Sequence, residues 1–142
     1  MKITANFTLE ELCHTSCGLI NTPSQWQIIN LCFGANNILQ PLRDYIGKPI
    51  TINSGFRSFQ VNKIVGGVKN SQHIAGCAAD IRVDKSDMEK IMSWLENCKF
   101  CDQVLQGISF IHVSWVISNP RRQVIYNYYN YWLWVHQLTL RK

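Results

Sequence analysis

The sequence predicts an α+β fold, in which a small, mainly antiparallel sheet has helices packed on one face and a cleft on the other. Apolar residues recur at helical spacing between residues 28 and 46. Residues 49–54, 78–83 and 110–116 instead alternate apolar and polar side chains, as half-buried strands do. The main helical pattern precedes the strand patterns, an order that indicates α+β rather than repeated α/β units. With 142 residues, 46% of them hydrophobic, the chain has the length of one folded domain.

Local signals set the predicted bounds of the helices. Thr8–Glu11 has the capping-box pattern and predicts the start of a short helix. Asn21–Ser24 is a turn that precedes the long amphipathic helix, and Gly47 ends that helix. Pro41 removes one backbone hydrogen bond, so we expect a kink near it. A second capping-box pattern, Ser86–Glu89, predicts a further helix with one buried apolar face.

The C-terminal half predicts paired strands. Residues 102–105 and 110–116 are separated by a segment containing Gly107, so we expect a hairpin. Residues 123–126 predict an additional edge strand, and residues 58–64 a short helix. The sheet is therefore completed late in the chain.

Three polar side chains on or near these strands form a candidate metal site. Alternation places Asp80 on the face of its strand opposite Ile81, and His112 on the face opposite Ile111. The two side chains share one polar face if the strands are neighbours. His73 lies seven residues before Asp80, within reach of a loop. Two imidazoles, one carboxylate and a free fourth position are a ligand set for a catalytic zinc ion.

Each histidine taken singly fits an ordinary structural role, and Asp80 taken singly fits a strand-end cap. The combination of the three favours the metal site.

The six cysteines are expected to be free thiols; they are Cys13, Cys17, Cys32, Cys77, Cys98 and Cys101. Cys98–Cys101 has the spacing of a zinc or redox motif but has no second matching pair. A thiol-zinc protein therefore stays a weaker alternative.

The formal charge of +5 suits an acidic partner such as the bacterial cell wall. Lys and Arg are scattered rather than clustered, which disfavours a nucleic-acid partner. The first residues lack a secretory signal pattern, and no segment has the ~20 apolar residues of a transmembrane helix. We expect synthesis in the cytoplasm, a monomer, and action on the wall after release.

Several motifs together resemble one peptidase family. They are Ser54–Arg57, Asn62–Gly67, Ser71–Asp80, Asp102–Gln103 and Ile111–Ser114. This set is similar to the M15-type zinc D-Ala-D-Ala carboxypeptidases and peptidoglycan endopeptidases, and most of all to their short phage and prophage form. The resemblance implies the fold of Hedgehog and DD-peptidase domains, one zinc ion, and peptidoglycan peptides as substrates.

The resemblance also implies roles for individual residues. His73, Asp80 and His112 match the family's zinc ligands. Arg57 matches the arginine that holds the substrate and stabilises the developing oxyanion. The expected reaction is hydrolysis of a stem-peptide or cross-bridge bond, as a carboxypeptidase or an endopeptidase, in phage or prophage lysis.

Further positions around the ligands are expected to contact the substrate or the reacting water. Ser71 matches a residue that hydrogen-bonds the substrate, and Gln72 is assigned to the same surface. The family's general base, a carboxylate, is not evident: short members carry it at the end of the preceding strand, where this chain has Gln106 and Gly107. Glutamine cannot accept a proton from water as a carboxylate does. Asp102 is the nearest acid in sequence and is the candidate base.

Two hypotheses therefore stay open. The first is an active zinc peptidase acting on peptidoglycan. The second is a zinc-containing module that binds cell-wall peptides with little or no turnover. In either case residues 1–126 are expected to form the peptidase-like domain, and residues 127–142 an aromatic C-terminal extension that stacks on sugars, contacts a membrane or partner, or packs on the domain.

Overall fold

The computed structural model describes residues 1–128, and the α+β class is confirmed. The helices are α1 (Leu9–Leu12), α2 (Gln25–Gly34), α3 (Gln40–Ile46), α4 (Phe59–Ile64) and α5 (Met88–Glu96). A π-helical segment, Ala35–Leu39, joins α2 to α3, and a 3-10 turn, Lys85–Asp87, precedes α5. The strands are β1 (Ile52–Ser54), β2 (Ala78–Arg82), β3 (Cys101–Gln106), β4 (Phe110–Trp115) and β5 (Gln123–Ile125).

These strands form one sheet in the described part of the chain, in the order β1-β2-β4-β3-β5. The pairs β1–β2, β2–β4 and β3–β4 are antiparallel, which confirms a mainly antiparallel sheet. The sheet is nevertheless mixed, because the predicted edge strand β5 pairs parallel to β3. β4 returns the chain antiparallel to β3, and residues 116–122 then pass the start of β3, so β5 runs in the same direction as β3.

The long helix predicted from the apolar stripe runs from α2 through α3 without leaving helical geometry. Ser24 begins it with a full capping box, in which its hydroxyl accepts from the Gln27 N–H and the Gln27 side chain accepts from the Ser24 N–H. Near Pro41, which has no backbone N–H, the helix takes π-helical hydrogen bonding where a kink was expected. The Gln40 N–H, just before the proline, donates to the carbonyl of Ala35, five residues back. Gly47 ends the helix in the left-handed conformation.

One face of the sheet packs on these helices and forms the core. Trp115 is fully buried, and its indole N–H donates to the Asn30 carbonyl of α2 at 2.9 Å. Gly34 allows this approach, since a Cβ there would lie 2.1 Å from the Trp115 ring. The core side chains from the central strands are Ala79, Ile81, Val104, Ile111 and Val113. The opposite face of β2 and β4 is left to the polar side chains.

Two local expectations have different outcomes. Thr8 does cap α1, because its hydroxyl accepts from the Glu11 N–H. The capping box at Ser86–Glu89 is wrong: α5 follows a 3-10 turn with Asp87 as its N-cap, and Asp87 makes no side-chain cap. Asp87 instead pairs with Lys48, which holds its carboxylate away from the helix end. Among the described residues, no helix has the length and apolarity needed to cross a membrane.

Candidate metal centre

The register of two central strands brings Asp80 and His112 together. Asp80 of β2 lies directly opposite His112 of β4 in the antiparallel ladder, so the two side chains leave the same face of the sheet. His73 enters from the loop before β2. One ligand atom from each residue lies within 4.8 Å of the other two. The convergence expected from strand alternation is present.

The loop that carries His73 is fixed from two sides. The His73 Nδ1–H donates to the Gly55 carbonyl at 2.7 Å, and the His73 carbonyl accepts from the Arg57 N–H at 3.1 Å. Gly76 has a φ of 74°, and a Cβ there would lie 2.6 Å from the Gln27 carbonyl oxygen of α2. Since a carbonyl can only accept, Nδ1 carries a proton, and Nε2 is the nitrogen that faces Asp80. Nε2 is therefore the His73 atom that could bind a metal.

The separations between ligand atoms fit a tetrahedral metal. His73 Nε2 lies 3.4 Å and His112 Nδ1 lies 2.9 Å from Asp80 Oδ1. Metal bonds of ~2.0–2.1 Å at tetrahedral angles place neighbouring ligand atoms ~3.3 Å apart. The two imidazole centroids are 5.2 Å apart and tilted by 59°, so both rings can aim at one point. No thiol or second carboxylate belongs to this group within the described residues.

Arg57 completes the centre on the side of Asp80. Its Nη2 donates to Asp80 Oδ2 at 3.2 Å, while Nε donates to Ser54 Oγ at 2.9 Å and Nη1 to Asn62 Oδ1 at 3.3 Å. Gly67 packs tightly here, because a Cβ would lie 2.1 Å from Asn62 Oδ1. The guanidinium is thus held in one plane by three acceptors, with a side-chain exposure of 15%.

Hydrogen bonds in the centre keep Asp80 ionised. Burial alone would raise the pKa of the Asp80 carboxyl, but hydrogen bonds from His112 and His73 outweigh it and hold that pKa far below its ordinary value. Burial lowers the pKa of Arg57, and the charge of Asp80 opposes that effect. A carboxylate and two imidazoles around one point are a donor set suited to a zinc ion.

Comparison with known proteins identifies the family. The family model described as Peptidase M15 matches residues 5–114, which is most of the chain. The chain belongs to the M15 peptidase family. A zinc D-Ala-D-Ala carboxypeptidase of Streptomyces albus G is 54% identical over 44 residues. That match covers 30% of this chain and 17% of the relative, so the chain spans under a fifth of the relative's length.

In this M15 chain, Ser71 and Gln72 support the first ligand. Ser71 Oγ accepts from the His73 N–H at 3.2 Å and so caps the tight turn at the metal ligand. The Gln72 amide donates to Asp102 Oδ2 at 3.1 Å and accepts from Arg121 at 3.3 Å. Contact of Ser71 and Gln72 with substrate stays a prediction.

Asp102 is buried and fully engaged in this M15 chain. Its Oδ1 accepts from the Arg121 N–H at 2.7 Å, and its Oδ2 accepts from Arg121 Nη2 at 2.7 Å and Nε at 2.9 Å. Burial would raise the pKa of Asp102, but hydrogen bonds from Arg121 and Gln72 outweigh it and lower that pKa. The carboxylate thus joins β3 to the segment before β5. Its role as general base stays a prediction.

The end of β3 places Gln106 and Gly107 on different faces. Leu105 pairs with His112 and Gln106 with Ile111, so Gln106 lies on the face of the buried Ile111. The Gln106 side chain accepts from the Asn127 N–H at 3.0 Å. The Gly107 N–H donates to the Phe110 carbonyl at 2.8 Å, which continues the pairing of β3 with β4. By alternation, Gly107 lies on the same face as His112.

An aromatic ring fills the space that a side chain at Gly107 would need. A Cβ at Gly107 would lie 2.3 Å from the Phe110 ring. Phe110 is still 37% exposed, so the ring forms part of the rim on the His112 face. The sequence offered no signal for this contact, because it depends on the hairpin geometry.

All nine carboxyl side chains of the M15 chain lie within the described residues. Asp80 is the one that joins the metal-binding group, and Asp102 is held by Arg121. Helices α1, α3 and α5, the turn before α5 and the N-cap of that turn carry the other seven, which are Glu10, Glu11, Asp44, Asp84, Asp87, Glu89 and Glu96.

The cysteines lie apart from the centre, and all six are free thiols, as expected. None belongs to a group of three or more metal-ligating side chains in residues 1–128, so a thiol-zinc site has no support there.

Sequence reasoning missed Asn62 and Arg121, which position Arg57 and Asp102. Their roles depend on side-chain contacts that no spacing rule reports.

Proposed function

We propose that the chain is a zinc-dependent hydrolase of peptide bonds in bacterial peptidoglycan, acting as a D-Ala-D-Ala carboxypeptidase or as a stem-peptide or cross-bridge endopeptidase. The observation that carries this proposal is the convergence of His73 Nε2, Asp80 Oδ1 and His112 Nδ1 beside a fixed Arg57. Membership of the M15 peptidase family supports the reaction class.

One zinc ion would be held by His73, Asp80 and His112. When bound, it supplies a Lewis acid that polarises a carbonyl and lowers the pKa of water. The residues fit because Gly55 fixes the tautomer of His73 and Asp80 is ionised. Arg57 bonds the other oxygen of Asp80, which orients the carboxylate toward the two rings.

Arg57 is placed to act on the substrate as well. A guanidinium beside the centre can bind a substrate carboxylate or stabilise negative charge on the scissile carbonyl oxygen. Its three bonds to Ser54, Asn62 and Asp80 hold the planar group in one orientation before substrate arrives. Ser71 and Gln72, next to His73 in the chain, would line the same surface and bond the substrate backbone.

A hydrolytic mechanism also needs a group that accepts a proton from the attacking water. For Asp102 to act as the base, Arg121 and Gln72 would have to release it. Gln106 cannot accept the proton, and Gly107 has no side chain. These observations favour the alternative function, a zinc-containing module that binds cell-wall peptides and turns over slowly or not at all.

Digestion of purified peptidoglycan separates the two functions. The wild-type chain, loaded with zinc, is incubated with sacculi with and without a chelator, and soluble products are identified by mass spectrometry. New peptide termini that disappear with chelator and in His112→Ala support the hydrolase. Zinc uptake and sedimentation with sacculi, without new termini, support the binding module. A folded chain that takes up no zinc overturns both.

The biological setting proposed is cell-wall lysis by a phage or prophage, with the protein made in the cytoplasm and acting on the wall as a monomer. The net charge of +5 favours contact with an anionic wall. Adding the protein to permeabilised bacteria should lower culture turbidity in a zinc-dependent way. Unchanged turbidity, with peptide hydrolysis intact in vitro, would argue against lysis as its role.

A further inference from the structure

A second reactive cluster, the thiol pair Cys98 and Cys101, lies at the junction of α5 and β3. The Cys98 N–H donates to the Leu95 carbonyl at 3.1 Å and ends the helix. The Cys101 N–H donates back to the Cys98 carbonyl at 3.3 Å and closes a four-residue turn. Such a turn brings its first and last Cα atoms within ~7 Å, in the range that a disulfide spans.

The two sulfurs have different surroundings. Cys98 is partly exposed and lines a surface cavity of about 490 Å³ together with Tyr45, Trp94 and Phe100. Cys101 is buried, with 3% exposure, at the start of β3. A dissolved disulfide can therefore reach Cys98 from the cavity, whereas burial shields Cys101 from direct attack.

The electrostatics give the two thiols different reactivities. The hydrogen bond from Cys101 lowers the pKa of Cys98, with a smaller contribution from the charge of Arg122. The same bond and burial raise the pKa of Cys101. An exposed thiolate beside a buried, protonated thiol is the arrangement of an attacking and a resolving cysteine.

We propose that Cys98 and Cys101 form a reversible redox pair that takes small-molecule disulfides as its oxidant. The Cys98 thiolate attacks one sulfur of the disulfide, forms a mixed disulfide and releases one thiolate. Cys101 then loses its proton to water and attacks Cys98 Sγ, which forms the Cys98–Cys101 bond and releases the second thiolate. The protein loses two electrons and two protons, and the disulfide becomes two thiols. This inference does not depend on the proposed hydrolase.

Glutathione disulfide is a suitable probe for the full-length protein. After incubation in excess probe, free thiols are blocked with N-ethylmaleimide and the peptide containing residues 98–101 is examined by mass spectrometry without reduction. We expect complete loss of alkylation at both cysteines, an internal disulfide, and full recovery with dithiothreitol. Without the probe, Cys98 should be alkylated at least ~10-fold faster than Cys13, because burial raises the pKa of Cys13 to about 11.

Variants within the chain provide controls. Cys101→Ser should stop at the mixed disulfide on Cys98, and Cys98→Ser should leave Cys101 unmodified. Cys17 is the matched single thiol: its sulfur accepts from Thr15 Oγ1 at 3.3 Å, which lowers its pKa, and it should stop at a mixed disulfide in the wild-type chain. Circular dichroism verifies that each variant is folded.

Two results would overturn the inference. One is a Cys98 that stays alkylatable under conditions that modify Cys17. The other is a mixed disulfide on Cys98 that persists in the folded wild-type chain although Cys101 is intact. Either result would mean that the two thiols do not act as a redox pair.

Discussion

The contacts of Arg57 depend on the shape of its guanidinium group and not only on its positive charge. Its three guanidinium nitrogens each donate to a different acceptor, on Ser54, Asn62 and Asp80. A lysine at this position would keep the positive charge but would replace the planar fork with a point charge on a flexible stem. One side chain therefore orients Asp80 and presents a fixed cation.

Arg57→Lys is expected to retain zinc and to lose function. We expect peptide hydrolysis, or affinity for sacculi if turnover is absent, to fall at least ~10-fold because the cation is no longer oriented. Zinc content by elemental analysis and the rate or binding curve measure the two effects separately. Arg82→Lys, on the exposed part of β2, is the matched control and should behave as wild type. Wild-type function in Arg57→Lys would mean that charge alone is used, and equal losses in both variants would mean that the effect is not specific to Arg57.

A carboxylate introduced on the His112 face should raise activity. In Gly107→Glu combined with Phe110→Ala, the second change removes the ring that would collide with the new side chain. General-base assistance contributes typically ~10²–10⁴-fold, so we expect a gain within that range in the hydrolysis of peptidoglycan peptides. Gln106→Glu is the matched control, because its register places it on the Ile111 face. An equal gain in Gln106→Glu, or none in the double variant with zinc retained, would contradict this placement.

At the scale of elements, Asp102 joins parts of the fold that are distant in sequence. It links β3 through Arg121 to the segment that precedes β5, and through Gln72 to the loop of His73. Arg121 is itself well exposed, so part of the charge attraction is screened by water. The hydrogen bonds to the buried carboxylate are the larger contribution to holding these elements together.

Asp102→Asn is expected to lower stability in a pH-dependent way. Because the pKa of Asp102 is lower in the folded than in the unfolded chain, its contribution is present above the unfolded pKa of ~3.9 and is lost as pH falls through the folded pKa. We expect a loss of ~1–3 kcal/mol in unfolding free energy at pH 7, shrinking below pH ~4. Urea denaturation at several pH values measures it.

The same variant also tests the base assignment, with Asp44→Asn on the exposed face of α3 as the stability control. A chain that keeps its wild-type unfolding free energy but loses hydrolysis would indicate that Asp102 is the base. A destabilised chain with proportionate activity would indicate a positioning role.

The contact between α2 and β4 is the second element-scale constraint, since β4 carries His112. Gly34→Ala places a methyl group in the Trp115 ring, and overpacking of this kind costs ~1–3 kcal/mol or more. We expect a lower urea midpoint with an unchanged slope. Asn36→Ala, exposed in the adjoining π-helical segment, should change stability far less. A Gly34→Ala chain as stable as wild type would mean that the ring shifts without cost.

At the scale of the whole molecule, the sequence predicts elements that follow a local periodicity of apolar and polar residues. It does not predict contacts between residues that are distant in the chain. Two-residue alternation on β2 and β4 was sufficient to place Asp80 and His112 on one face, and the apolar stripe was sufficient for the long helix. The bond between Gly55 and His73 spans 18 residues and leaves no periodic signal. The parallel pairing of β5 with β3 and the position of the Phe110 ring at Gly107 likewise leave no periodic signal in the sequence.

The aromatic C-terminal extension, residues 127–142, lies almost entirely outside the described residues, which end at 128. Its proposed roles, in stacking on sugars, in contact with a membrane or partner, or in packing on the domain, therefore stay predictions. Truncation after residue 126 followed by solubility and sacculus-binding measurements distinguishes them.

Zinc should stabilise the whole fold, because its ligands come from three separate parts of the chain. A ligand at 100 times its dissociation constant adds ~2.7 kcal/mol to the folded state, which corresponds to a rise of ~5–10 °C in Tm for a chain of this size. Differential scanning calorimetry with and without zinc measures the shift. We expect it to be lost in Asp80→Asn and retained in His14→Ala, since His14 lies outside the metal-binding group. A shift of the same size in Asp80→Asn would place the stabilising ion elsewhere, since a carboxamide lacks the charge that holds zinc between the two imidazoles.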